Sequence, residues 1–421
     1  MKKLFYKILI LFSILSFGIS SISFCDDIDD EVIDVNAEII SSATPTSEIK
    51  TPTINSRAYV VIDRNTNTIL YGKNETQKRK MASTTKIMTA TVIIENCDLN
   101  ATVEVSKKAA GTGGSRLGLK TGDKITIRDL LYGLMLRSGN DAAVSLAEYA
   151  GGSIDGFSEL MNKKALELGL TNTHFKTPHG LDSDEHYTTA YELALLSNYA
   201  LNNKTFAQIV GTKNYTVTIN GISKQISNTN ELLGNLYGVY GVKTGFTNGA
   251  NRCLVTACKR NDMDIICVVL GADTKKFRTQ DSIKLINYVF DNFKPVNIKK
   301  LIEHKFEQWK KDNLSNVFIN KGITQNINMQ IENIDKPIIP IRKDLIDSID
   351  IDINIPLYYE APLLTDTEIG SIIVYVPDYL SLNYKIYNST EIKRKSWNRY
   401  LFDILKDYSY ILKEGLEDIY F

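Results

Sequence analysis

The sequence predicts an α/β fold of the α+β type, in which one antiparallel sheet is flanked by helices and contains an inserted helical cluster. Residues 58–73 and 215–270 contain short β-prone runs, which are typical of strands. Between them, apolar residues recur three and four positions apart, which is typical of helices. Beyond residue 296 short strand-like runs return, so a small β domain is expected to follow.

The elements of the first domain begin with a hairpin of strands at 58–63 and 68–73, joined by turn residues. Helical periodicity covers residues 87–94, 127–136, 142–149, 157–168 and 190–200. Strands are then expected at 215–219, 239–243, 253–259 and 264–270, and a last helix at 279–293. Strands at both ends of a helical region fit one antiparallel sheet, so the helices are placed as an insertion.

The 421 residues are enough for more than one folded domain, because single cores stop growing at roughly 250–300 residues. We place the first domain at 52–296 and a second, β-rich domain at 297–390. Strands of the second domain are expected at 317–319, 327–331, 349–355 and 372–376. No catalytic group of residues stands out there, so the chemistry is expected in the first domain.

Residues 391–421 predict an amphipathic helix whose apolar stripe includes Trp397 and Leu401. Basic residues stand at its start, while Asp403 and Asp407 would interrupt a membrane span. This combination is typical of a helix that lies on a membrane surface, so we expect an anchor of that kind. Packing of the helix on the β domain is the alternative.

The first 25 residues have the pattern of a secretory signal peptide. Basic residues precede an uncharged apolar run from residue 8 to residue 24, and small residues near its end suit cleavage. We therefore expect an exported protein, with an uncleaved anchor as the alternative. Bulky Phe24 disfavours a lipid on Cys25. Residues 26–51 are acidic and then rich in Ser, Thr and Pro, which predicts a flexible linker.

Charge and cysteine content exclude several classes of protein. Lys and Arg together number 49, as do Asp and Glu, so no basic field would gather nucleic acid. The five cysteines show no CxxC spacing, which gives no support to a zinc knuckle or a thioredoxin-like site. Cys253 and Cys267 fall on strands expected to pair, and whether they form a disulfide stays open.

A candidate nucleophile lies at the start of the first predicted helix. Ser83 and Lys86 are three residues apart, so a helix places the hydroxyl and the amine on one face. The helix dipole there favours a developing alkoxide. Ser47 and Lys50 repeat the spacing, but they lie in the predicted linker, where no pocket could form.

Two further motifs follow in a meaningful order. Ser138-Gly139-Asn140 lies just past a predicted helix, where a hydroxyl and a carboxamide can project from a turn. Lys243-Thr244-Gly245 ends an apolar strand and supplies a positive charge, a hydroxyl and close backbone access. The run Lys120-Thr121-Gly122 precedes Ser138, so it breaks the order and is read as a turn.

The ordered set S-x-x-K, S-x-N and K-T-G resembles that of serine β-lactamases and penicillin-binding proteins. Together with residues 59–63, 177–181, 228–230 and 241–270, it makes the chain similar to low-molecular-mass D-alanyl-D-alanine carboxypeptidases over about residues 52–385. The resemblance implies a DD-peptidase catalytic domain, a β-sandwich second domain and a C-terminal membrane anchor. It also implies a location at the cell wall or on the outer face of the cytoplasmic membrane.

The resemblance also implies roles for the motif residues, with no cofactor or metal. Ser83 would attack the bond between two D-alanines of a peptidoglycan stem peptide, and β-lactam antibiotics would acylate the same hydroxyl. The remaining implied roles are general base for Lys86, proton relay for Ser138, acyl-amide binding for Asn140, carboxylate binding for Lys243, Thr244 and Gly245, and oxyanion stabilisation by the N–H groups of Ser83 and Phe246.

Two positions depart from the family pattern. Asn251 stands where the family usually has glycine, and Thr229 lies in a loop position that is often basic. Both leave recognition of the substrate carboxylate, and hence the side-chain preference for substrate, open. Arg278 matches a family arginine and is given no role.

Three rival interpretations are kept. A zinc hydrolase would use His174, His179 and His186, whose spacing fits no helical metal pair. A serine β-lactamase would need a deacylating element, and we expect none in residues 140–200. A wall-binding module of the same fold without turnover is the third.

Overall fold

The structure is a computed structural model that describes residues 50–417, and its internal contacts divide the chain into two units between Asn292 and Phe293. The predicted signal peptide at 1–25, including Cys25, and nearly all of the linker at 26–51 lie outside the described residues. Within residues 50–417, no helix combines the length and apolar character that crossing a membrane requires.

The first unit contains the elements predicted for it, with small shifts of their ends. Its strands are β1 Ala58–Asp63, β2 Ile69–Lys73, β3 Thr102–Glu104, β4 Lys124–Thr126, β5 Asn214–Ile219, β6 Ile222–Ser227, β7 Val239–Thr247, β8 Asn251–Arg260 and β9 Met263–Ala272. Its helices are α1 Lys86–Asn96, α2 Lys107–Ala110, α3 Ile127–Leu136, α4 Asn140–Gly151, α5 Ile154–Glu167, α6 Ala190–Leu201, α7 Lys204–Val210 and α8 Lys275–Asn292. The short elements β3, β4, β6, α2 and α7 were not predicted.

The main sheet has the strand order β2-β1-β9-β8-β7, and each neighbouring pair is antiparallel. Strands β8 and β9 are buried along most of their length. Helix α8 packs on both strands, and helix α6 packs on β9 and β1. This covering explains why residues 265–270 form a continuous apolar run instead of alternating. The predicted antiparallel sheet with flanking helices is confirmed.

Helix α1 occupies the middle of the helical cluster, since α3, α4, α5, α6 and α7 all contact it. Its residues from Lys86 to Ile93 are buried on every side, which is unusual for a helix of a surface layer. Strand β7, at the edge of the main sheet, contacts the 3-10 turn Ala82–Thr85 that leads into α1. The start of α1 therefore lies between the helical cluster and the sheet edge.

The second unit is built mainly of strands. Its elements are β10 Phe293–Asn297, α9 Ile298–Asn313, β11 Phe318–Asn320, β12 Met329–Ile331, β13 Ile338–Arg342, β14 Asp350–Asn354, β15 Tyr358–Glu360, β16 Glu368–Val376, β17 Leu380–Asn388 and α10 Trp397–Glu417. Strands β12, β17, β16 and β14 form an antiparallel sheet in that order. Each run predicted as a strand in this region overlaps a strand of the structure.

Helix α9 was missed by the sequence analysis, which treated the region as β-rich. The side chain of Asn297 accepts a hydrogen bond from the backbone N–H of Lys300 and so caps the helix. Ile298, Ile302 and Phe306 are buried along one face. Their spacing of four residues was the available signal.

The register of β8 and β9 decides the open question about the cysteines. Thr256, and not Cys253, lies opposite Cys267. All four cysteines among the described residues are thiols rather than disulfides. Burial raises the pKa of the Cys258 thiol to about 11, so this thiol is held in its unreactive form.

Phe157 supplies a stability test of the helical cluster. Its side chain is fully buried at the start of α5, and replacing it with alanine removes a ring from a packed core. We expect Phe157→Ala to lower the free energy of unfolding by about 3–5 kcal/mol. Urea denaturation measures it, with Leu166→Ala on the exposed face of the same helix as the control. Equal losses in both variants would contradict the assigned packing.

Candidate active site

Ser83 and Lys86 meet at the start of helix α1. Ser83 belongs to the 3-10 turn, and Lys86 is the first residue of the helix, so the predicted spacing of one turn holds. The amine Nζ of Lys86 lies 2.8 Å from the hydroxyl Oγ of Ser83. Ser83 is 7% exposed and Lys86 is fully buried. The pair is therefore sheltered from solvent, and Ser83 is its more exposed member.

The amine of Lys86 also contacts two carbonyl oxygen atoms. It donates to Oδ1 of Asn140 at 2.8 Å and to the backbone carbonyl of His179 at 2.9 Å. Together with Ser83, its partners come from the nucleophile turn, helix α4 and the loop at 177–181. Burial favours the uncharged amine of a lysine. In that form its two hydrogens serve the two carbonyl oxygens, and its lone pair faces the Ser83 hydroxyl and can take the hydroxyl proton.

The predicted S-x-N motif forms the corner between helices α3 and α4. Asn140 opens α4, and its Nδ2 donates to the carbonyl of Gly113 at 2.7 Å. Ser138 has a positive φ of 58°, which turns the chain sharply before α4. Its hydroxyl is buried and has no hydrogen-bond partner among the described residues. The structure thus joins Asn140 directly to Lys86 and leaves the Ser138 hydroxyl available.

Asp141 supports this corner and was not identified from the sequence. Its buried carboxylate accepts hydrogen bonds from the backbone N–H groups of Leu117, Gly118 and Leu119 at 2.8–2.9 Å. The loop that contains Gly113 is thereby tied to the first turn of α4. An acidic residue in the first turn of a helix was the available signal.

The K-T-G motif lies on strand β7, beside the nucleophile turn. A β-carbon on Gly245 would lie 3.1 Å from the backbone nitrogens of both Ser83 and Thr84, so glycine permits the close approach. Lys243 is buried, and its Nζ donates to the carbonyl of Thr244 at 2.9 Å. Phe246 follows on the strand. The structure therefore brings the strand of the third motif against Ser83.

The loop at 177–181 closes over the nucleophile turn. A β-carbon on Gly180 would lie 1.9 Å from the backbone carbonyl of Ala82, and the residue has a φ of +90°. No other residue type fits there without moving the turn. Thr89 of α1 donates to the carbonyl of Pro178 at 2.6 Å, which fixes the loop from the helix side.

The histidines are structural partners of this loop and not members of a metal site. Nδ1 of His186 accepts from the N–H of Lys176 at 2.9 Å, and Nε2 lies 2.7 Å from the hydroxyl of Thr85, which itself donates to Ala82. These partners assign the neutral tautomer with the proton on Nε2. Within residues 50–417, no group of three His, Cys, Asp or Glu side chains is placed to hold a metal ion.

Two of the imidazoles are kept neutral by their surroundings. Burial, followed by the nearby Lys86, lowers the pKa of His179 from 6.5 to about 3. Burial, followed by the nearby His174, lowers the pKa of His186 to about 4. Neither group changes charge near neutral pH, so neither is suited to transfer protons there.

The two departures from the family pattern have a local explanation. Asn251 has a φ of +58°, in the left-handed region that glycine adopts freely and asparagine tolerates better than most residues. The glycine-like turn is therefore preserved. Thr229 is half-buried, and its hydroxyl lies 2.8 Å from that of Thr244 on β7. The often-basic position thus carries a hydroxyl that contacts the K-T-G motif.

The pKa of His186 gives a testable pH dependence of stability. The His186 side chain takes up a proton near pH 6.5 in the unfolded chain and only near pH 4 in the folded chain. Its contribution to the free energy of unfolding is therefore fully present above pH 6.5 and is lost as the pH falls toward 4. His186→Gln keeps a neutral side chain. We expect it to reduce the slope of the unfolding free energy by up to about 1.4 kcal/mol per pH unit in that window.

Urea denaturation at several pH values measures this slope. His304→Gln, at an exposed histidine of the second unit, is the matched control. Identical slopes for the wild type and His186→Gln would show that the folded imidazole titrates like an unfolded one.

Similarity to known proteins identifies the family to which this chain belongs. A model described as D-alanyl-D-alanine carboxypeptidase, peptidase family S11, matches residues 45–274. The D-alanyl-D-alanine carboxypeptidase DacF of Bacillus subtilis is 38% identical over 244 residues, which cover 56% of this chain and 63% of that protein. DacD of Salmonella typhimurium is 31% identical over 374 residues, which cover 85% of this chain and 90% of that protein.

Solved structures give the same result. The Streptomyces K15 DD-transpeptidase is 37% identical, with a TM-score of 0.55 over 57% of this chain and 99% of its own. Penicillin-binding protein 5 of Haemophilus influenzae is 26% identical, with a TM-score of 0.67 over 82% of this chain and 99% of its own. The predicted resemblance is confirmed, and the chain belongs to the S11 family of D-alanyl-D-alanine carboxypeptidases, which are serine hydrolases.

Proposed function

We propose that this chain removes the terminal D-alanine from peptidoglycan pentapeptides through an acyl-enzyme on Ser83. The contact of 2.8 Å between the buried amine of Lys86 and the hydroxyl of Ser83 is the observation that carries the proposal. A hydroxyl beside an uncharged amine is an activated nucleophile. The family membership of the chain supports the same chemistry.

In the first half-reaction, Oγ of Ser83 bonds to the carbonyl carbon of the penultimate D-alanine, and its proton passes to Nζ of Lys86. The N–H groups of Ser83 and Phe246 stabilise the oxyanion, a contribution of roughly 3–4 kcal/mol per donor in comparable sites. The C–N bond then breaks, and the terminal D-alanine leaves with a proton relayed through Ser138. Ser138 suits this relay because its buried hydroxyl has no partner among the described residues.

In the second half-reaction, Lys86 has given up its first proton through Ser138 and accepts a proton from the water that attacks the ester on Ser83. This proton passes to Oγ of Ser83 as the ester C–O bond breaks. The Ser83 hydroxyl is regenerated, and the shortened peptide is released. Asn140 would bind the amide of the acyl group, because Gly113 takes one hydrogen of its Nδ2 and leaves the second for the substrate. Lys243, Thr244 and Gly245 would receive the carboxylate of the terminal D-alanine.

Penicillin is expected to acylate the same hydroxyl and to be released slowly. The one E-x-x-N match in residues 140–200 runs from Glu159 to Asn162. Glu159 is exposed on helix α5, and the amide of Asn162 is hydrogen-bonded to the backbone of Phe175, so this match does not supply a deacylating base and the β-lactamase alternative is disfavoured. A non-catalytic wall-binding module is disfavoured because Ser83, Lys86 and Asn140 are joined by hydrogen bonds in one site. Slow release, rapid turnover and absence of labelling separate the three functions.

We further propose that the protein acts outside the cell, on the outer face of the cytoplasmic membrane, with α10 resting on the lipid surface. The apolar stripe of this helix is exposed: Trp397 is 73%, Leu405 58% and Tyr408 62% exposed. An exposed stripe beside basic residues suits the membrane interface.

Replacement of the nucleophile tests the proposed chemistry. We expect Ser83→Ala to reduce release of D-alanine from a pentapeptide ending in D-Ala-D-Ala by at least about 10³-fold and to abolish labelling by fluorescent penicillin. Ser47→Ala, in the decoy motif with the same spacing, is the control and should retain both activities. Penicillin labelling of Ser83→Ala would refute the assignment, and loss of wild-type activity with a chelator would favour a metal enzyme.

Substitution within the stripe tests membrane binding. We expect the double variant Leu401→Asp, Leu405→Asp to lower the fraction bound to phosphatidylglycerol-containing vesicles by about tenfold. The reason is that it places charge on the face proposed to enter the lipid. The matched control, Asn398→Asp with Ser409→Asp, makes the same charge change outside the stripe. Equal binding by all three proteins in a sedimentation assay would rule out the proposed surface.

A further inference from the structure

Thr229 connects two walls of the site that belong to different parts of the fold. Its backbone N–H donates to the carbonyl of Leu136 at 3.0 Å, and Leu136 ends helix α3 just before Ser138. Its hydroxyl lies 2.8 Å from the hydroxyl of Thr244 on strand β7. One residue thus links the corner of the S-x-N motif to the K-T-G strand.

The loop around Thr229 is anchored on both sides. Before it, Nδ2 of Asn228 donates to the carbonyls of Val210 and Thr212 at 3.3 and 3.1 Å. After it, the carboxylate of Glu231 pairs with the buried guanidinium of Arg278 at 2.5 Å. Because both flanks are held, the Thr229 hydroxyl has little freedom to move away from Thr244.

The contact between the two hydroxyls has a direction once an anion is bound. A hydroxyl has one hydrogen to donate and two lone pairs that accept. If Thr244 donates its hydrogen to a substrate carboxylate, the contact with Thr229 requires that Thr229 donate to Thr244. Thr244 is 1% exposed, and hydrogen bonds in such surroundings polarise one another. A neutral acceptor in place of the carboxylate forms a weaker hydrogen bond with Thr244, so it is stabilised less by the donation from Thr229 to Thr244.

We propose that Thr229 is a positioning residue that orients the Thr244 hydroxyl toward the substrate and thereby selects peptides with a free C-terminal carboxylate. The inference rests on the proposed carboxypeptidase function. Thr229 is uncharged, so its influence passes through Thr244 and needs no direct ion pair with the substrate.

The test compares two substrates that differ only in their last group, a pentapeptide ending in a carboxylate and the same peptide ending in an amide. We expect Thr229→Val to raise KM for the carboxylate substrate by about tenfold, with kcat little changed and the amide substrate little affected. Thr229→Ser keeps the hydroxyl and should restore the wild-type KM. An equal loss for both substrates, or no rescue by serine, would overturn the proposal.

A double-mutant cycle with Thr244→Val tests the route of the effect. If Thr229 acts through Thr244, adding Thr229→Val to Thr244→Val should produce no further loss for the carboxylate substrate. Additive losses would overturn the proposed route. The rate of penicillin acylation provides a second readout of the same cycle, since penicillin also carries a carboxylate.

Thr173→Val is the matched control, because the hydroxyl of Thr173 lies 2.7 Å from that of Thr188 in another part of the first unit. It should leave the ratio of kcat/KM for the two substrates unchanged, whatever its effect on stability. A wild-type protein that released no D-alanine from either peptide would refute the proposed function itself. An active wild type with an unaltered Thr229→Val variant would refute only the role of Thr229.

Discussion

The buried amine of Lys86 and its three oxygen partners are the interaction on which the site depends. Each partner belongs to a different element: Ser83 to the nucleophile turn, Asn140 to helix α4 and the His179 carbonyl to the loop at 177–181. These elements are far apart in the sequence, so the amine contacts all of these partners only when the helical cluster is folded. An amine buried without acceptors would cost several kcal/mol, which couples the chemistry of the site to the packing of the cluster.

Backbone strain is concentrated around the same place. Ala82 and Ser138 both have positive φ angles, of 48° and 58°, although neither is glycine. Conformations of this kind cost of order 1–3 kcal/mol each and persist only where surrounding contacts impose them. Here Gly180 packs against the carbonyl of Ala82, and the Asn140 N–H is held by Ser115 beside Ser138. The strained turns orient the hydroxyls of Ser83 and Ser138, and the packing of the helical cluster offsets the conformational energy of the strain.

Sequence alone predicted what is local or carried by a motif. Ser83 and Lys86 meet because one helical turn brings them together, which spacing reveals. The approach of Gly245 to Ser83 required the resemblance to a family, because strand β7 and helix α1 are far apart in the chain. Asp141, Gly180 and the bridge made by Thr229 were missed, since each contacts backbone atoms of residues that are distant in the chain. For Asp141, its place in the first turn of a helix was visible, but its partners were not. Helix α9 was missed for another reason, because the strand-like runs that follow it led to the whole region being interpreted as β-rich, although the spacing of Ile298, Ile302 and Phe306 was visible.

Thr229, one of the two departures from the family pattern, contacts the strand proposed to bind the substrate carboxylate, and physical chemistry gives a reason for a departure there. Acyl transfer needs one hydroxyl, one amine and one oxyanion pocket in fixed geometry, so substitutions there remove activity outright. A carboxylate can be held by different combinations of charge and hydroxyl groups, because Coulomb attraction depends weakly on detailed geometry. With Lys243 buried at the strand, charge is already supplied, and the loop residue at 229 can act through a hydroxyl. Under the proposed function, divergence at position 229 would alter recognition of the substrate C-terminus and leave the nucleophile unchanged.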